Sequence, residues 1–342
     1  MKKIVYRSRA PLRISFAGGG TDISPYPELY GGAVLSSTID MFSYTSIKLN
    51  SKRIIKIESQ DFETTETIKN QKDLKKNDKF FLIRSIIKNL NKKSLGMDIT
   101  LFSDVKIGSG LGASSSLTVG LIGNLLNVLK IKKTPNEIAK LAYKIERDYC
   151  SIKGGYQDQY SASFGGFNFI EFKKNNVKVI PLKLHDDVMH EMLSNLILCD
   201  TNQYRKEKIY DKIISAQSIL AGKNNKETEI LHKIKDISYE MKNSLLKGDL
   251  DYFSKLLDDG WKNKQKLSSE ISTNKINKIY EKVKTLGVKG GKLLGAGGGG
   301  YMILYCDMEK KNDIIKNLQR LKLNIVKFNF EKSGLVTWSK TE

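Results

Sequence analysis

The apolar residues Ile4, Val5, Leu12 and Ile14 bracket residues 4–14, which read as a strand that runs into a turn at Gly18-Gly19-Gly20. A second glycine pair, Gly31-Gly32, leads into an apolar run from Ala33, and residues 44–49 and 54–58 alternate as antiparallel strands do. Residues 70–79 are polar and lysine-rich, the composition of a loop. The period then changes: Phe81, Ile83, Ile86, Ile87 and Leu90 fall at helical spacing over residues 80–90. Residues 97–103 read as a strand. After a glycine-rich stretch comes a helix with the stripe Leu117, Leu121, Ile122, Leu125, Leu126 and Leu129. Thr134-Pro135-Asn136-Glu137 is a helix start, with a threonine cap, proline in the first turn and glutamate at the capping-box position. Ile138, Leu141, Ala142, Ile145 and Tyr149 form the buried stripe of that helix, and strands at 167–172 and 177–182 follow.

Near His185 the pattern changes again. A strand at 196–200 precedes helical stretches over about 205–286, a glycine cluster at 290–300, a strand at 301–306, a helix at 308–321 and a strand at 324–329. No solenoid-type repeat recurs. The order predicts an α/β (α+β) chain of two domains, residues 1–184 and 185–342, a size at which chains divide in this way.

Composition narrows the classes. The 342 residues are 40% hydrophobic and 28% charged, an ordinary globular mix. No apolar run reaches the roughly 18 residues of a membrane span, and the first residues lack the apolar stretch of a signal peptide. Cys150, Cys199 and Cys306 are few, odd in number and widely spaced; the last two close apolar runs and read as buried strand residues. A reducing, cytoplasmic setting without disulfides is expected, and no histidine partner suggests a catalytic cysteine. The net charge of +21 admits a nucleic-acid reading. The lysines, however, are dispersed and their densest clusters short, so no nucleic-acid partner is expected.

Candidate chemistry concentrates at Ile107-Gly108-Ser109-Gly110-Leu111-Gly112-Ala113-Ser114-Ser115-Ser116, between a strand and a long helix. Glycines let the backbone approach a ligand, the helix start offers free N–H groups and a positive dipole end, and the serines add donors and a magnesium-compatible oxygen. It is not a Walker loop, because no Gly-Lys-Ser/Thr ends it. Two further glycine segments flank it in sequence, Arg13-Ile14-Ser15-Phe16-Ala17-Gly18-Gly19-Gly20-Thr21-Asp22 and Lys292-Leu293-Leu294-Gly295-Ala296-Gly297-Gly298-Gly299-Gly300.

These three segments, in this order, resemble the GHMP kinases (galactokinase, homoserine kinase, mevalonate kinase, phosphomevalonate kinase), from Arg9 to about Tyr305. The resemblance implies a first domain like ribosomal S5 domain 2 and a ferredoxin-like second domain. It implies ATP over Gly108, Ser109, Gly110, Leu111, Gly112, Ala113, Ser114 and Ser115. The usual Gly-Leu-Gly-Ser-Ser-Ala becomes Gly-Leu-Gly-Ala-Ser-Ser here. Ser114 falls on the family's magnesium-serine position, with Ser115 open to share the role. Glu146 lies twelve positions before Asp158. In galactokinase-like members a glutamate at this separation holds Mg²⁺ and the aspartate is the base, while Arg13 favours the ionised base and the developing phosphate charge.

The acceptor side resembles the D-glycero-D-manno-heptose 7-phosphate kinases, through residues 10–22, 31–40 and Asp200-Thr201 onward. That likeness implies phosphorylation of an anomeric hydroxyl, with Gly19, Gly20, Thr21, Asp22, Gly155, Gly297 and Gly298 around the sugar. A phosphorylated acceptor needs a basic anchor. Arg205, with neighbours Lys206 and Lys208, is the first candidate and Arg84 the second, because a guanidinium binds phosphate bidentately. Fucose kinase domains share much of the pattern. Two readings of other classes remain: a non-catalytic sugar and ATP sensor, against which Ser114, Glu146 and Asp158 argue, and an RNA-binding protein, which would bind with steep salt dependence and need no ATP. The histidines and Trp261 and Trp338 read as structural, and a homodimer is an open expectation.

Overall fold

Strand β1 (Ile4–Ala17) runs three residues beyond its predicted end, because Phe16 and Ala17 are as buried as the residues before them. The computed structural model describes residues 4–60, 63–68, 79–174, 176–204, 207–221 and 226–342. After the short helix α1 (Tyr26–Tyr30) comes β2 (Gly32–Asn50), a strand that pairs with β1 on one edge and is long enough to serve two partners on the other. Then follow β3 (Ile55–Ser59), β4 (Thr64–Ile68), α2 (Phe81–Leu90), β5 (Gly96–Ser103), α3 (Ala113–Val128), α4 (Pro135–Lys144), α5 (Gln157–Phe164), β6 (Phe167–Lys173) and β7 (Asn176–Pro181). The last half of β2 pairs with β5 and its first half with β6. The predicted loop at 70–79 lies almost wholly outside the described residues.

Helix α3 crosses the first sheet and packs with α2 and α4 over Ile47, Ile57, Ile99 and Leu101. The capping box at Thr134 is complete: Glu137 N–H donates to Thr134 Oγ1 at 3.3 Å, and Thr134 N–H donates to Glu137 Oε2 at 2.8 Å. The helix predicted through Tyr149 instead changes pitch, and residues Ile145–Tyr149 form a π-helical turn.

The second half holds α6 (Asp186–Asn195), β8 (Leu196–Asp200), α7 (Glu207–Ala221), α8 (Lys226–Lys247), α9 (Leu250–Gln265), α10 (Asn274–Thr285), β9 (Gly290–Leu293), β10 (Tyr301–Tyr305), α11 (Met308–Arg320) and β11 (Asn324–Val326). Its sheet has the order β11-β8-β10-β9 with every pair antiparallel, the ferredoxin-like arrangement. Trp261 is fully buried there, and Cys199 and Cys306 are buried and free.

The chain does not end in the second half. β12 (Val336–Thr341) returns to pair along β1, covering an edge that would otherwise expose a row of unpaired backbone groups. A boundary at 184/185 therefore leaves out this closing strand, which belongs with the first sheet. The two halves also share a core: Leu12, Ile14, Phe16, Leu35 and Phe167 pack in one cluster with Leu198, Phe253, Leu257 and Ile303.

Candidate active site

The glycine-rich loop stands where the sequence puts it, on the N-terminus of α3. Gly108, Gly110 and Gly112 have φ of +84°, +83° and +78°, the left-handed region that glycine alone enters freely. The helix has no side-chain cap, so its first-turn N–H groups face the loop without an internal partner. The loop is braced from behind: Arg13 N–H donates to Leu111 O at 3.0 Å, and Arg13 Nη1 donates to Gly110 O at 2.6 Å. The third glycine segment closes onto it. A Cβ on Gly295 would lie 2.7 Å from Gly110 Cα, and Tyr301 N–H donates to Ser109 O at 2.8 Å. Gly297 and Gly298 pack on the 3₁₀ turn Ser269–Ile271, where Gly298 N–H donates to Ile271 O at 2.8 Å.

Asp158, in the first turn of α5, reaches Arg13 from the other side. Arg13 Nη2 lies 2.7 Å from Asp158 Oδ1, and Nε donates to the same oxygen at 2.8 Å. Arg13 is buried (4% exposed) while the Asp158 side chain keeps 25% of its surface. A Cβ on Gly112 would sit 3.5 Å from Asp158 Oδ2, so the carboxylate lies against the bare backbone of the glycine-rich loop. The structure thus joins Arg13, Asp158 and the loop into one site.

Glu146 lies in the π-helical turn, whose extra residue per turn re-aims its side chain inward. Its Oε2 accepts from Ser115 Oγ at 3.0 Å, Gln159 Nε2 at 2.8 Å and Arg147 Nη1 at 3.0 Å. Oε1 is buried with no hydrogen-bond partner. Burial lowers the affinity of Arg147 for its proton, but Glu146 leads the charges that carry it above its ordinary value. Ser114 is exposed and Ser115 buried, so the serine brought to Glu146 is Ser115. Among the described residues no group of three acidic, histidine or cysteine side chains converges.

The glycine turn at residues 18–22, expected to meet the acceptor, is built around Asp22, which is fully buried. Its carboxylate accepts from Gly20 N–H and Gln157 N–H, both at 3.1 Å. Burial raises its pKa, against the pull of the Gln157 N–H, and nearby Asp158 adds to the rise. Gly155 is required here, since a Cβ would stand 2.0 Å from Asp22 Oδ2. Thr21 is buried and braces the turn, donating to Gly18 O at 2.8 Å. Lys292, unremarked by periodicity, donates to Ser15 O at 2.9 Å and Phe16 O at 3.2 Å; burial, then Lys264 and Arg13, push its pKa well below the ordinary lysine value.

Of the two arginines named for a distal phosphate, Arg205 lies outside the described residues. Arg84 is ion-paired with Glu66 of β4, the outermost strand of the first sheet. Gln157, Gln159, Arg147, Lys264 and Lys292 line this region although the sequence reading gives them no role. The first three adjoin Asp158 and Glu146 and Lys292 opens the third glycine segment, so adjacency to a motif residue is the signal available for them; Lys264 has none.

Comparison with known proteins decides the family. The family described as "GHMP kinases N terminal domain" matches residues 81–166, and "GHMP kinases C terminal" matches residues 241–322. A D-glycero-alpha-D-manno-heptose 7-phosphate kinase of Campylobacter jejuni is 36% identical over 340 residues, 97% of this chain and 98% of that protein. The chain belongs to the GHMP kinases. This GHMP kinase also superposes on a solved D-glycero-D-manno-heptose 1-phosphate kinase of Bacteroides thetaiotaomicron with a TM-score of 0.81 at 30% identity, covering 97% of this chain and 98% of that one. A bifunctional fucokinase/GDP-fucose pyrophosphorylase of Arabidopsis thaliana is 24% identical across 90% of this chain and 30% of that protein. As a GHMP kinase the chain transfers phosphate to a hydroxyl, and ATP is the donor expected of the family. No described helix is long and apolar enough to cross a membrane.

Proposed function

We propose that this kinase moves the γ-phosphoryl group of ATP to the anomeric C1 hydroxyl of D-glycero-D-manno-heptose 7-phosphate, giving heptose 1,7-bisphosphate for GDP-heptose synthesis. The observation that carries the reading is the Asp158–Arg13 pair set against Gly112 of the phosphate loop. It supports an acceptor hydroxyl lying between carboxylate and nucleotide. As the new O–P bond forms and the bridging P–O bond to ADP breaks, the hydroxyl proton passes to Asp158. Arg13 favours the ionised carboxylate beforehand and faces the charge that develops on the phosphoryl oxygens. Loop glycines and the open start of α3 hold the phosphates.

Mg²⁺ fits this site on one observation: the buried, unpartnered Oε1 of Glu146, a hard oxygen of the type that ion selects. Glu146 would hold it with Ser115 or Ser114. The ion would neutralise phosphate charge. Gln159 and Arg147 fix the Glu146 carboxylate in either case.

The similar kinases named above act on a 7-phosphate in one case and are called 1-phosphate kinases in the other. The anomeric hydroxyl therefore rests on the likeness of residues 10–22. Asp22, held by Gln157 and Gly20, supports a sugar hydroxyl donor at that end. A coupled ADP-release assay with heptose 7-phosphate, unphosphorylated heptose and L-fucose tests the proposal. Turnover led by heptose 7-phosphate is expected. Preference for L-fucose would transfer the chain to the sugar 1-kinases without a distal phosphate, and no turnover with any sugar or sugar phosphate would sink the reading.

A further inference from the structure

The side of Gly19 that a side chain would occupy is bordered by three polar groups. A Cβ there would lie 3.6 Å from Ser15 Oγ, 3.7 Å from Gln157 Nε2 and 3.9 Å from Lys264 Nζ. These are ordinary contact distances. Gly18 and Gly20 have positive φ and Gly19 does not, so neither a clash nor backbone strain demands glycine at this position. What glycine leaves is a methyl-sized space rimmed by a hydroxyl, an amide and an ammonium. Ser15 Oγ is buried and without a hydrogen-bond partner, and its hydroxyl is able to donate. Buried polar atoms are normally paired, which points to an oxygen-bearing ligand as its partner.

Lys264 ties this space to the phosphate loop. It projects from α9, is 5% exposed, and its ammonium also donates to Gly295 O. Gly295 is the residue that packs on Gly110. One ammonium therefore stands between the acceptor turn and the nucleotide loop. A second, that of Lys292, lies close by on two backbone carbonyls, and no carboxylate of the described residues lies within ion-pair distance of it. A buried ammonium held on backbone carbonyls, as that of Lys292 is, is costly unless an anion joins it.

We propose that Lys264 binds a phosphoryl oxygen seated over Gly19, with the Ser15 hydroxyl donating to the same oxygen. The proposal rests on the reading of this site as one for ATP and a sugar phosphate. The phosphoryl group has two sources, the γ-phosphoryl in transfer or the phosphate the acceptor already carries. The chemistry at Lys264 is the same for both.

Affinities for ATP, ADP, heptose 7-phosphate and unphosphorylated heptose are measured by calorimetry on the wild-type protein, Lys264→Met and Lys264→Arg, beside the thermal midpoint of each. Lys264→Met is expected to lose about tenfold or more in affinity for the ligand bearing the phosphoryl group, because a charge-assisted hydrogen bond is lost, and Lys264→Arg to recover part of it. A loss for ATP but not ADP assigns the transferred group. A loss for heptose 7-phosphate but not heptose assigns the acceptor's own. Gly19→Ala should keep its midpoint and show the same selective loss. Unchanged affinity of Lys264→Met for all four ligands overturns the proposal. A uniform loss with a lowered midpoint overturns it too, since a purely structural lysine gives that result. Failure of the wild-type protein to bind either sugar contradicts the sugar-phosphate reading, and the ATP–ADP comparison then decides Lys264 by itself.

Discussion

Arg13 and Arg84 are both buried and each holds a carboxylate, and of these two pairs the Arg13 pair stands against the glycine-rich loop. Arg13 (4% exposed) grips Asp158, and Arg84 (6% exposed) grips Glu66. The partners are similar too: the Asp158 side chain is 25% exposed and that of Glu66 23%. Burial and pairing do not separate them. Their surroundings do. Asp158 faces the bare backbone of Gly112, and its arginine also fixes the loop carbonyl of Gly110. Arg84 ties α2 to an outer strand over an apolar cluster of Ile83, Ile86 and Ile87. The first pair holds a carboxylate where a ligand can arrive, while the second fastens a helix to a sheet.

This contrast can be broken at graded points. The largest expected effect is at the proposed base: Asp158→Asn should lose about a thousandfold in kcat with its thermal midpoint nearly unchanged, read by ADP release. Arg13→Met should lose about a hundredfold, because it removes a fixed charge at the transferred group as well as a brace of the loop. Glu146→Gln should cost roughly ten- to a hundredfold and shift the Mg²⁺ concentration for half-maximal rate upward; an unchanged Mg²⁺ curve would remove Glu146 from that role. Arg84→Met should invert the pattern, costing about 2 kcal/mol in denaturant unfolding while the folded fraction keeps its kcat, since Glu66 is left half-buried and unpaired. Smallest is Thr134→Ala, a cap far from either pair, worth about 1 kcal/mol of stability and no change in rate.

Much of the site is legible in the sequence because glycine is. Gly108, Gly110 and Gly112 announce left-handed backbone before a helix, and Arg13, Glu146 and Asp158 stand at recognisable distances from such segments. Helix α4 announces itself through Thr134 and Glu137. What stays hidden depends on geometry that spacing does not carry. The π-helical turn at Ile145–Tyr149 aims Glu146 at Ser115, whereas motif position favours Ser114. Lys264 and Lys292 look like two more lysines in a lysine-rich chain, and only the packing of α9 and β9 against β1 makes them buried. The return of β12 to β1 spans the whole chain, and no local pattern encodes it.

The most direct test gives both carboxylates the same isosteric change. ADP release with heptose 7-phosphate and ATP affinity are measured side by side for Asp158→Asn and Glu66→Gln at equal folded fraction. Asp158→Asn should bind ATP within about twofold of the wild-type protein and lose about a thousandfold in turnover, while Glu66→Gln turns over normally. Comparable turnover in the two variants would contradict the assignment of Asp158 as the base and of the Arg13 pair as the centre of the reaction.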